Sequence, residues 1–528
     1  MENKTSPYLQ FSFLLVLSFV TIIICKWLSS KKTKTHPLPP GPLGYPIIGC
    51  LPQMLNNKPT FRWIDKLMQD LNTEIVCIRL GSTHVITVSS PELAREFLKN
   101  QDSIFASRPV CMSGKLVSNG YVTTVLSPVG DQWKKMRRIL VTEVLSSHMY
   151  RWLHEKRCEE ADHLICYIYN QCDNPLTNGL VNVRIAAQHY CGNVIRRLTL
   201  NKRFFGRGME NGGPGVEEEE HVDGLFTILS YLYGFTISDY APWLEILDFD
   251  GYKKILQESM ENVTKYQNPE IDKRVEMWTK GVRKVKEDIL DVLINLKDSK
   301  NNPLLTIQEI KAQIVEITLA AVDNPSNAIE WAMAELINQP NILLKAVKEL
   351  DHVVGRNRLV QESDLPKLNF VKACAKEAFR LHPVAPFNVP HVSTKDTIVA
   401  GYFIPKGSHV FLSRSGLGRN PNVWKDPLRY NPERHIVHNT SSEVVLSDNK
   451  LNMMSFSTGR RGCPAIRLGS TMTGVLLARL IQGFTWTMPD GKSIDLVELH
   501  ENMLMAKPLT AHATPRLNPQ IYMQLMKY

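Results

Sequence analysis

The stretch SFSTGRRGCPA, residues 455–465, sets one cysteine in a short loop with a phenylalanine, two arginines and two glycines. No second cysteine or histidine lies at the short spacing of a structural zinc site, and no disulfide partner is evident for Cys463. The apolar run that follows, IRLGSTMTGVLLARLIQ, predicts a helix, and a helix N-terminus beside two arginines favours a thiolate. The glycines allow a flat, bulky group to approach the backbone, with Phe456 lying against it. The loop therefore indicates a thiolate metal ligand, while its position alone is equally compatible with a buried structural cysteine.

The composition of the 528-residue chain is that of a globular protein, with 43% hydrophobic and 22% charged residues. It excludes a largely disordered chain. The formal net charge is +10, but the basic residues are scattered, so charge favours an anionic lipid surface or an acidic protein partner as much as a nucleic acid. The ten cysteines form no CxxC pair and no regular framework, which fits a reducing compartment.

The N-terminus contains a candidate membrane span. Residues 8–28, YLQFSFLLVLSFVTIIICKWL, are close to the ~20 apolar residues that a helix needs to cross a bilayer. Four lysines fall within positions 26–34 and only one precedes the run, so the positive-inside rule predicts that the body of the protein is cytosolic. A cleaved signal peptide is the alternative, although no small-residue cleavage site follows.

Three parts are predicted along the chain: a lumenal tip and transmembrane anchor (1–30), a basic, proline-rich hinge (31–50) and one large domain (51–528). Within the large domain, TEIVCIRL and HVITVSS flank Gly81 and predict a hairpin. Helical periodicity then dominates to about residue 382, and short strand-like runs such as TIVAGYFI and SHVFLS follow. The acidic run EEEE at 217–220 is interpreted as a solvated loop.

Two long helices can be placed from their end signals. Thr306 and Glu309 form a capping box, and the helical pattern continues from there to a proline at position 340. The second helix, LPKLNFVKACAKEAFRLH, carries Glu377 and Arg380 on one face because they are three residues apart. Taken alone, such a pair is usually a surface ion pair of little energetic value.

Four motifs resemble, in order along the chain, those of cytochrome P-450 mono-oxygenases. The cysteine loop matches the signature FxxGxRxCxG at Phe456, Gly459, Arg461 and Cys463, with Ala465 where the last glycine is usual. WKKMR is similar to the family's WxxxR through Trp133 and Arg137, KEAFRLHP to its ExxR helix, and NPERH to its PERF segment, with His435 in place of the phenylalanine. The likeness covers nearly all of the chain after the hinge.

The resemblance implies the cytochrome P-450 fold, mainly α with a smaller β region, preceded by one N-terminal transmembrane helix. It implies haem b with Cys463 as the axial thiolate ligand of the iron. The residues implied in haem contact are Trp133, Arg137, His391, Phe456, Gly459 and Arg461. Glu377, Arg380 and Arg434 are implied to form a buried structural triad. An ordinary helix face remains the alternative for Trp133 and Arg137, and a surface histidine for His391.

A thiolate ligand favours O–O cleavage, so the resemblance implies insertion of one oxygen atom from O2 into a substrate. No flavin or nicotinamide fingerprint is visible, and electrons are expected from NADPH through a separate NADPH-cytochrome P-450 reductase. The expected location is the endoplasmic reticulum membrane, single-pass, with the catalytic domain on the cytosolic face. The basic residues Lys134, Lys135, Arg137 and Arg138 are candidates for docking the reductase, with a solvated helix face as the alternative.

The sequence departs from the family in the long helix. The usual A/G-G-x-D/E-T-T/S is replaced by AAVDNP, residues 320–325, so Asn324 stands where a threonine helps deliver protons. Pro325 lacks an N–H to donate to the preceding turn and predicts a kink there. Asp323, Asn324 and Ser326, with water or the substrate itself, are the candidates for proton delivery.

The run DNPSNAIEW, with SFSTGRRGC, PERH and FNVPH, resembles one branch, the plant amino-acid N-mono-oxygenases of family 79. This implies two N-hydroxylations of an L-amino acid and loss of CO2 and water to give an aldoxime, as in cyanogenic glucoside or defence pathways. L-phenylalanine is the first choice of substrate. The expected pocket residues are Ala320, Val384, Phe387 and Asn388, with simple packing and a capped turn as alternatives for the last two. A C-hydroxylase of a hydrophobic plant metabolite and a non-catalytic membrane haem protein are the competing functions.

Overall fold

The computed structural model describes residues 21, 36–172, 174–175, 177–437, 442–489 and 491–526. Within those ranges, none of the helices has both the length and the apolar character of a bilayer span. The predicted anchor at 8–28 lies, except for Thr21, outside the described residues. The three-part division of the chain therefore stays a prediction.

The described part of the chain is mainly helical, as expected. Its α-helices are α1 (Leu51–Asn56), α2 (Thr60–Asp70), α3 (Pro91–Arg95), α4 (Met112–Val117), α5 (Asp131–Ile139), α6 (Ser147–Trp152), α7 (His154–Cys172), α8 (Val183–Leu200), α9 (Val216–Tyr231), α10 (Ile237–Tyr240), α11 (Tyr252–Thr279), α12 (Ile289–Ile294), α13 (Ile307–Asn338), α14 (Pro340–Val353), α15 (Asn369–Leu381), α16 (Arg414–Gly418), α17 (Ile466–Gly483) and α18 (Pro519–Leu525). The largest apolar core lies among α8, α13, α15 and α17, which pack against one another.

The strands form a smaller β region. They are β1 (Ile75–Leu80), β2 (Thr83–Val88), β3 (Leu180–Asn182), β4 (His391–Val392), β5 (Thr397–Val399), β6 (Tyr402–Ile404), β7 (His409–Leu412), β8 (Phe484–Thr487) and β9 (Thr510–Pro515). The largest sheet has the order β1-β2-β7-β4, in which β1 and β2 form the predicted antiparallel hairpin and β7 runs parallel to β2. This sheet places the chain segment after β7, where α16 begins, beside the segment before β4.

Helix α13 crosses the core and begins as predicted. The Thr306 side chain accepts from the backbone N–H of Glu309, whose side chain in turn accepts from the backbone N–H of Thr306, so both halves of the capping box are present. The helix continues without interruption through Pro325, so the bend expected there does not break it. The helix packs against α8, while Ala320, Asp323 and Asn324 near Pro325 are not fully buried.

The acidic run at 217–220 is not a loop, and that prediction was wrong. It forms the first turn of α9, where negative charge is favourable because backbone N–H groups point outwards. Glu218 is buried and bonds to the guanidinium of Arg196 and to His189 Nδ1. Both partners lie on α8, more than 20 residues away along the chain. The charge pairing that stabilises this turn therefore cannot be recognised from the neighbouring residues alone.

The predicted triad forms on α15 and the turn Pro432–His435. Glu377 and Arg380 are fully buried, with Arg380 Nε 2.8 Å from Glu377 Oε2, and Arg434 Nε donates to Glu377 Oε1 over 2.9 Å. His435, which replaces the family's phenylalanine, adds a fourth member, because its Nε2 lies 2.8 Å from Glu377 Oε2. Burial opposes ionisation of Glu377, but hydrogen bonds from Arg380 and His435 lower its pKa to about 2.

Substitution Glu377→Ala is expected to destabilise the protein by roughly 3–5 kcal/mol, because it leaves buried cations without their counter-charge. The surface variant Glu276→Ala removes an exposed i,i+4 partner of Lys280 and is expected to change stability by less than about 1 kcal/mol. Urea unfolding and haem content measure both effects. A Glu377→Ala protein with wild-type stability and haem content that loses only turnover would contradict the structural role.

Candidate active site

The loop that carries Cys463 is fixed by its own backbone and by helix α3's C-terminal extension. The Cys463 N–H donates to the carbonyl oxygen of Phe456 over 2.9 Å. Gly459 has a φ of +73°, and a Cβ there would lie 2.4 Å from the Leu98 carbonyl oxygen. This glycine is therefore required for close packing against the protein itself, and the approach of a flat group to the loop stays a prediction.

The protonation of Cys463 differs from the sequence expectation. Burial raises the pKa of its thiol, while the backbone N–H of Ala465 and the charges of Arg137 and Arg414 act in the opposite direction and do not cancel the rise. The free chain thus keeps a neutral thiol at pH 7, and a bound metal cation would have to displace its proton. In the described ranges, no group of three or more His, Cys, Asp or Glu side chains is placed to hold a metal ion.

Three arginines and a tryptophan converge beside the cysteine loop. Arg137 Nη2 donates to the carbonyl oxygen of Gly462 over 2.8 Å. Arg461 lies with its guanidinium carbon 4.3 Å from the centre of the Trp133 ring and donates to the carbonyl oxygen of Ala106 over 2.6 Å. Arg108 donates to the carbonyl oxygens that precede His391, each over 2.8 Å.

These arginines form a cationic cluster with too little negative charge. Burial lowers the pKa of Arg461 to about 8 and that of Arg108 to about 10, and repulsion among the three guanidinium groups contributes. Glu316 is the carboxylate whose charge opposes these shifts, and it is itself occupied by the backbone N–H groups of residues 124 and 125. The Trp133 Nε1 is buried without a hydrogen-bond partner.

The cluster fits the two propionates of the haem that the family resemblance implies. The two carboxylates would neutralise the excess positive charge of the arginines. One of them would also accept a hydrogen bond from Trp133 Nε1, which has no partner within the described residues. The structure brings Trp133, Arg137 and Arg461 together as the sequence predicted. Arg108 belongs to the same cluster and was missed from the sequence, where a single arginine in SRPVCM was its only local signal.

His391 is buried beside the same cluster. Its Nδ1 lies 2.7 Å from the carbonyl oxygen of Phe105, and burial lowers its pKa to about 3. Because a carbonyl only accepts, Nδ1 carries the proton and Nε2 is a donor only in the charged ring. His391 can therefore bind a propionate only if that anion raises its pKa. Phe456 packs edge-on to Phe379, with ring centres 6.0 Å apart, and beside Gly469 of α17.

One face of α13 borders an internal cavity. Ala320 is exposed and Asp323 and Asn324 are partly exposed although they lie in the middle of a helix that crosses the core. Burial nevertheless raises the pKa of Asp323 to about 7, with the charge of Arg414 opposing the rise. These side chains have free space beside them but are shielded from bulk water, as is typical of the lining of an internal cavity. Arg414 also acts on the pKa of Cys463, so it lies within electrostatic range of both α13 and the cysteine loop.

The remaining predicted residues differ in whether they lie at the cavity. Asn324 Nδ2 donates to the Ala320 carbonyl oxygen over 3.2 Å, whereas the buried Ser326 hydroxyl donates back to Val322 and Asp323 and is turned away from the cavity. Val384 is partly exposed, but Phe387 is buried in an aromatic cluster with its ring centre 5.4 Å from that of Phe411.

The contacts of Phe387 favour simple packing rather than a pocket wall. Asn388 likewise has a local role, because its Oδ1 accepts from the Leu412 backbone N–H over 2.7 Å, while its Nδ2 is buried without a partner. Phe387 and Asn388 thus both contact strand β7. The motif FNVPH does not by itself show which side chains reach the cavity.

The sequence matches the cytochrome P-450 family model over residues 39–514. It is 55% identical over 511 residues to valine N-monooxygenase 1 of Manihot esculenta, covering 97% of this chain and 93% of that protein. It is 55% identical to tyrosine N-monooxygenase of Sorghum bicolor, with 92% and 87% covered. It is 53% identical to phenylalanine N-monooxygenase of Arabidopsis thaliana, with 98% and 99% covered.

Substitution Cys463→Ser is expected to abolish the thiolate-type absorption of the reduced carbon monoxide complex, because it removes the sulfur that the family signature assigns as the ligand. Cys158→Ser, a partly exposed cysteine on α7, serves as the matched control and is expected to leave that spectrum unchanged. Difference spectra of the purified proteins measure both. Persistence of the thiolate band in Cys463→Ser would exclude this residue as the ligand.

Proposed function

The chain belongs to the cytochrome P-450 family, and from that premise we propose that it N-hydroxylates an L-amino acid twice and releases the corresponding aldoxime. The observation that carries the proposal is identity of 51–55%, over nearly the whole chain, to proteins that are named N-monooxygenases of valine, tyrosine, isoleucine, tryptophan or phenylalanine. Because those names differ in the amino acid, they support the reaction class. L-phenylalanine is our first choice among the substrates.

Haem, when bound, supplies the reactive oxygen atom from O2, with electrons delivered from NADPH by a reductase. The chain's own residues position it. Cys463 is the ligand, and the cluster of Arg108, Arg137, Arg461 and Trp133 holds the propionates. The Glu377 triad stabilises the helix that packs behind Phe456.

The substrate nitrogen must lose its proton before it accepts oxygen. Asp323 borders the cavity and has a pKa of about 7, so near neutral pH its carboxylate is able to take a proton from the substrate's ammonium group. Asn324 stands beside it in place of the usual threonine. Because Ser326 is bonded back to its own helix, we assign proton transfer to Asp323, Asn324 and the substrate amine rather than to Ser326.

Each hydroxylation forms one N–O bond with one atom of O2, and the other oxygen atom leaves as water with two electrons and two protons from the reductase and solvent. After two such steps the nitrogen carries two hydroxyl groups. Loss of water and of the carboxyl group as CO2 then gives the C=N–OH group of the aldoxime. The chemistry therefore requires both a free amine and a free carboxylate in the substrate.

We further propose that residues 8–28 anchor the protein in the endoplasmic reticulum membrane, with the catalytic domain in the cytosol. The length of the apolar run and the lysines that follow it support this. For reductase docking, only Lys134 and Arg138 of the four candidate basic residues remain exposed. Lys135 is paired with Glu309 over 2.7 Å, and Arg137 points to the cysteine loop.

Feeding each of the twenty amino acids singly to the chain, expressed with a plant reductase, is expected to yield an aldoxime from one or a few of them. Apolar pockets separate neighbouring side chains by only ~1–3 kcal/mol per methylene, so partial activity on related amino acids is expected. Mass spectrometry identifies the product. The Cys463→Ser protein is the control. A good thiolate spectrum with no aldoxime from any amino acid would favour the C-hydroxylase function.

Substitution Asn324→Thr is expected to leave coupling of NADPH use to product unchanged or lower, because the cavity is arranged for a substrate that carries its own amine. Peroxide released per NADPH consumed measures the uncoupling. Ser326→Ala removes a neighbouring hydroxyl that is already bonded within the helix, and it is the matched control. Improved coupling in Asn324→Thr would contradict the role assigned to this turn.

A further inference from the structure

Arg414 is partly buried, and within the described residues its side chain has no hydrogen-bond or ion-pair partner. It begins α16, directly after β7, and its backbone is fixed because its N–H donates to the Pro386 carbonyl oxygen over 2.8 Å while Ser413 caps the helix. Its Nε is buried and has no hydrogen-bond partner. Across the described ranges, its guanidinium forms no ion pair with any side chain.

This separates Arg414 from the deeply buried arginines. Each of those donates to a carboxylate or to backbone carbonyls; they are Arg108, Arg157, Arg196, Arg380, Arg461 and Arg479. A buried guanidinium is costly to leave unpaired, so an arginine that the fold does not satisfy points to an anion from outside the chain.

The charged groups that shift the pKa of Arg414 show which parts of the chain lie near it. Burial lowers its pKa to about 10, and the charges of Asp323 and Cys463 oppose this shift. The propionate cluster behaves as a separate group, because Arg108, Arg137 and Arg461 influence one another and are not among the groups that shift Arg414. Arg414 therefore lies within electrostatic range of both Asp323 on α13 and Cys463, and the haem carboxylates have donors of their own in the separate cluster.

Asp323 is the matching charge of opposite sign. Like Arg414, its side chain takes part in no hydrogen bond or ion pair within the described ranges, and burial raises its pKa to about 7. The two groups are near enough for each to shift the other's pKa, yet they are not in contact. A cavity wall with one cationic and one anionic group, both unsatisfied and apart, is complementary to a small zwitterion.

We propose that the Arg414 guanidinium binds the α-carboxylate of the amino-acid substrate, with Asp323 facing the amino group. The inference rests on the proposed function and adds the residue that recognises its substrate class. A guanidinium binds a carboxylate through two parallel hydrogen bonds, which fixes the orientation of the ligand as well as its charge. A substrate bound in this way keeps its amine near α13. A decarboxylated amine has no carboxylate for Arg414 to bind.

The test is a spectral binding titration of the full-length, haem-loaded protein, without reductase. The probes are L-phenylalanine, L-valine and L-tyrosine, together with the amide and the decarboxylated amine of each. Arg414→Gln removes the charge and the paired donors, and Arg414→Lys keeps the charge only. Arg356→Gln, an exposed arginine paired with Asp351, is the control for loss of one positive charge.

In Arg414→Gln, affinity for the amino acids that bind the wild type is expected to fall on the order of 10–100-fold, as for a lost charge-assisted hydrogen bond, while affinity for the amines changes less than about threefold. Arg414→Lys is expected to lie between, and Arg356→Gln to match the wild type. Equal losses for acid and amine, or no loss, would overturn the carboxylate anchor and leave the proposed function standing.

The wild-type protein supplies a measurement that does not depend on a folded variant. Each amide is expected to bind at least about tenfold more weakly than its acid, because it offers Arg414 no charge. Equal binding of acid and amide would overturn the anchor. Failure of every amino acid to bind, with no aldoxime formed on feeding, would overturn the anchor and the proposed function together.

Discussion

Hydrogen bonds from buried guanidinium groups to backbone carbonyls hold the cysteine loop in place, and the site depends on them. Arg461 ties the loop to the segment around Ala106, and Arg137 ties α5 to Gly462. These bonds join parts of the chain more than 300 positions apart. Together with the Cys463–Phe456 backbone bond and the packing of Gly459 on Leu98, they fix the position of Cys463.

The buried charges of the protein fall into two kinds. Around Glu377 the charged groups are paired with one another. Arg380, Arg434 and His435 each bond to the Glu377 carboxylate, and we call this a closed network. Around Trp133 and around Arg414 the protein leaves buried donors without partners. A closed network stabilises the fold, whereas we interpret the unsatisfied donors at these two places as groups that bind ligands, so arginine has a structural role in one place and a binding role in another.

Features encoded in short stretches were predictable from the sequence. The capping box at Thr306, the hairpin around Gly81 and the Glu377–Arg380 spacing all rest on contacts within a few residues, and the structure confirms them. The acidic first turn of α9 and the aromatic packing of Phe387 depend on partners from distant segments. Arg414 carries no local signal, because its significance is the absence of a partner, which only the assembled fold shows.

The measurement that tests the central claim most directly follows the atoms of one turnover. The amino acid that gives product is supplied with heavy nitrogen in its amine and heavy carbon in its carboxyl group, under isotope-labelled O2. The account predicts an aldoxime that keeps the heavy nitrogen, bears one oxygen atom from O2 on that nitrogen, and has released the labelled carbon as CO2. A product that retains the carboxyl carbon and bears the new oxygen on carbon would contradict it.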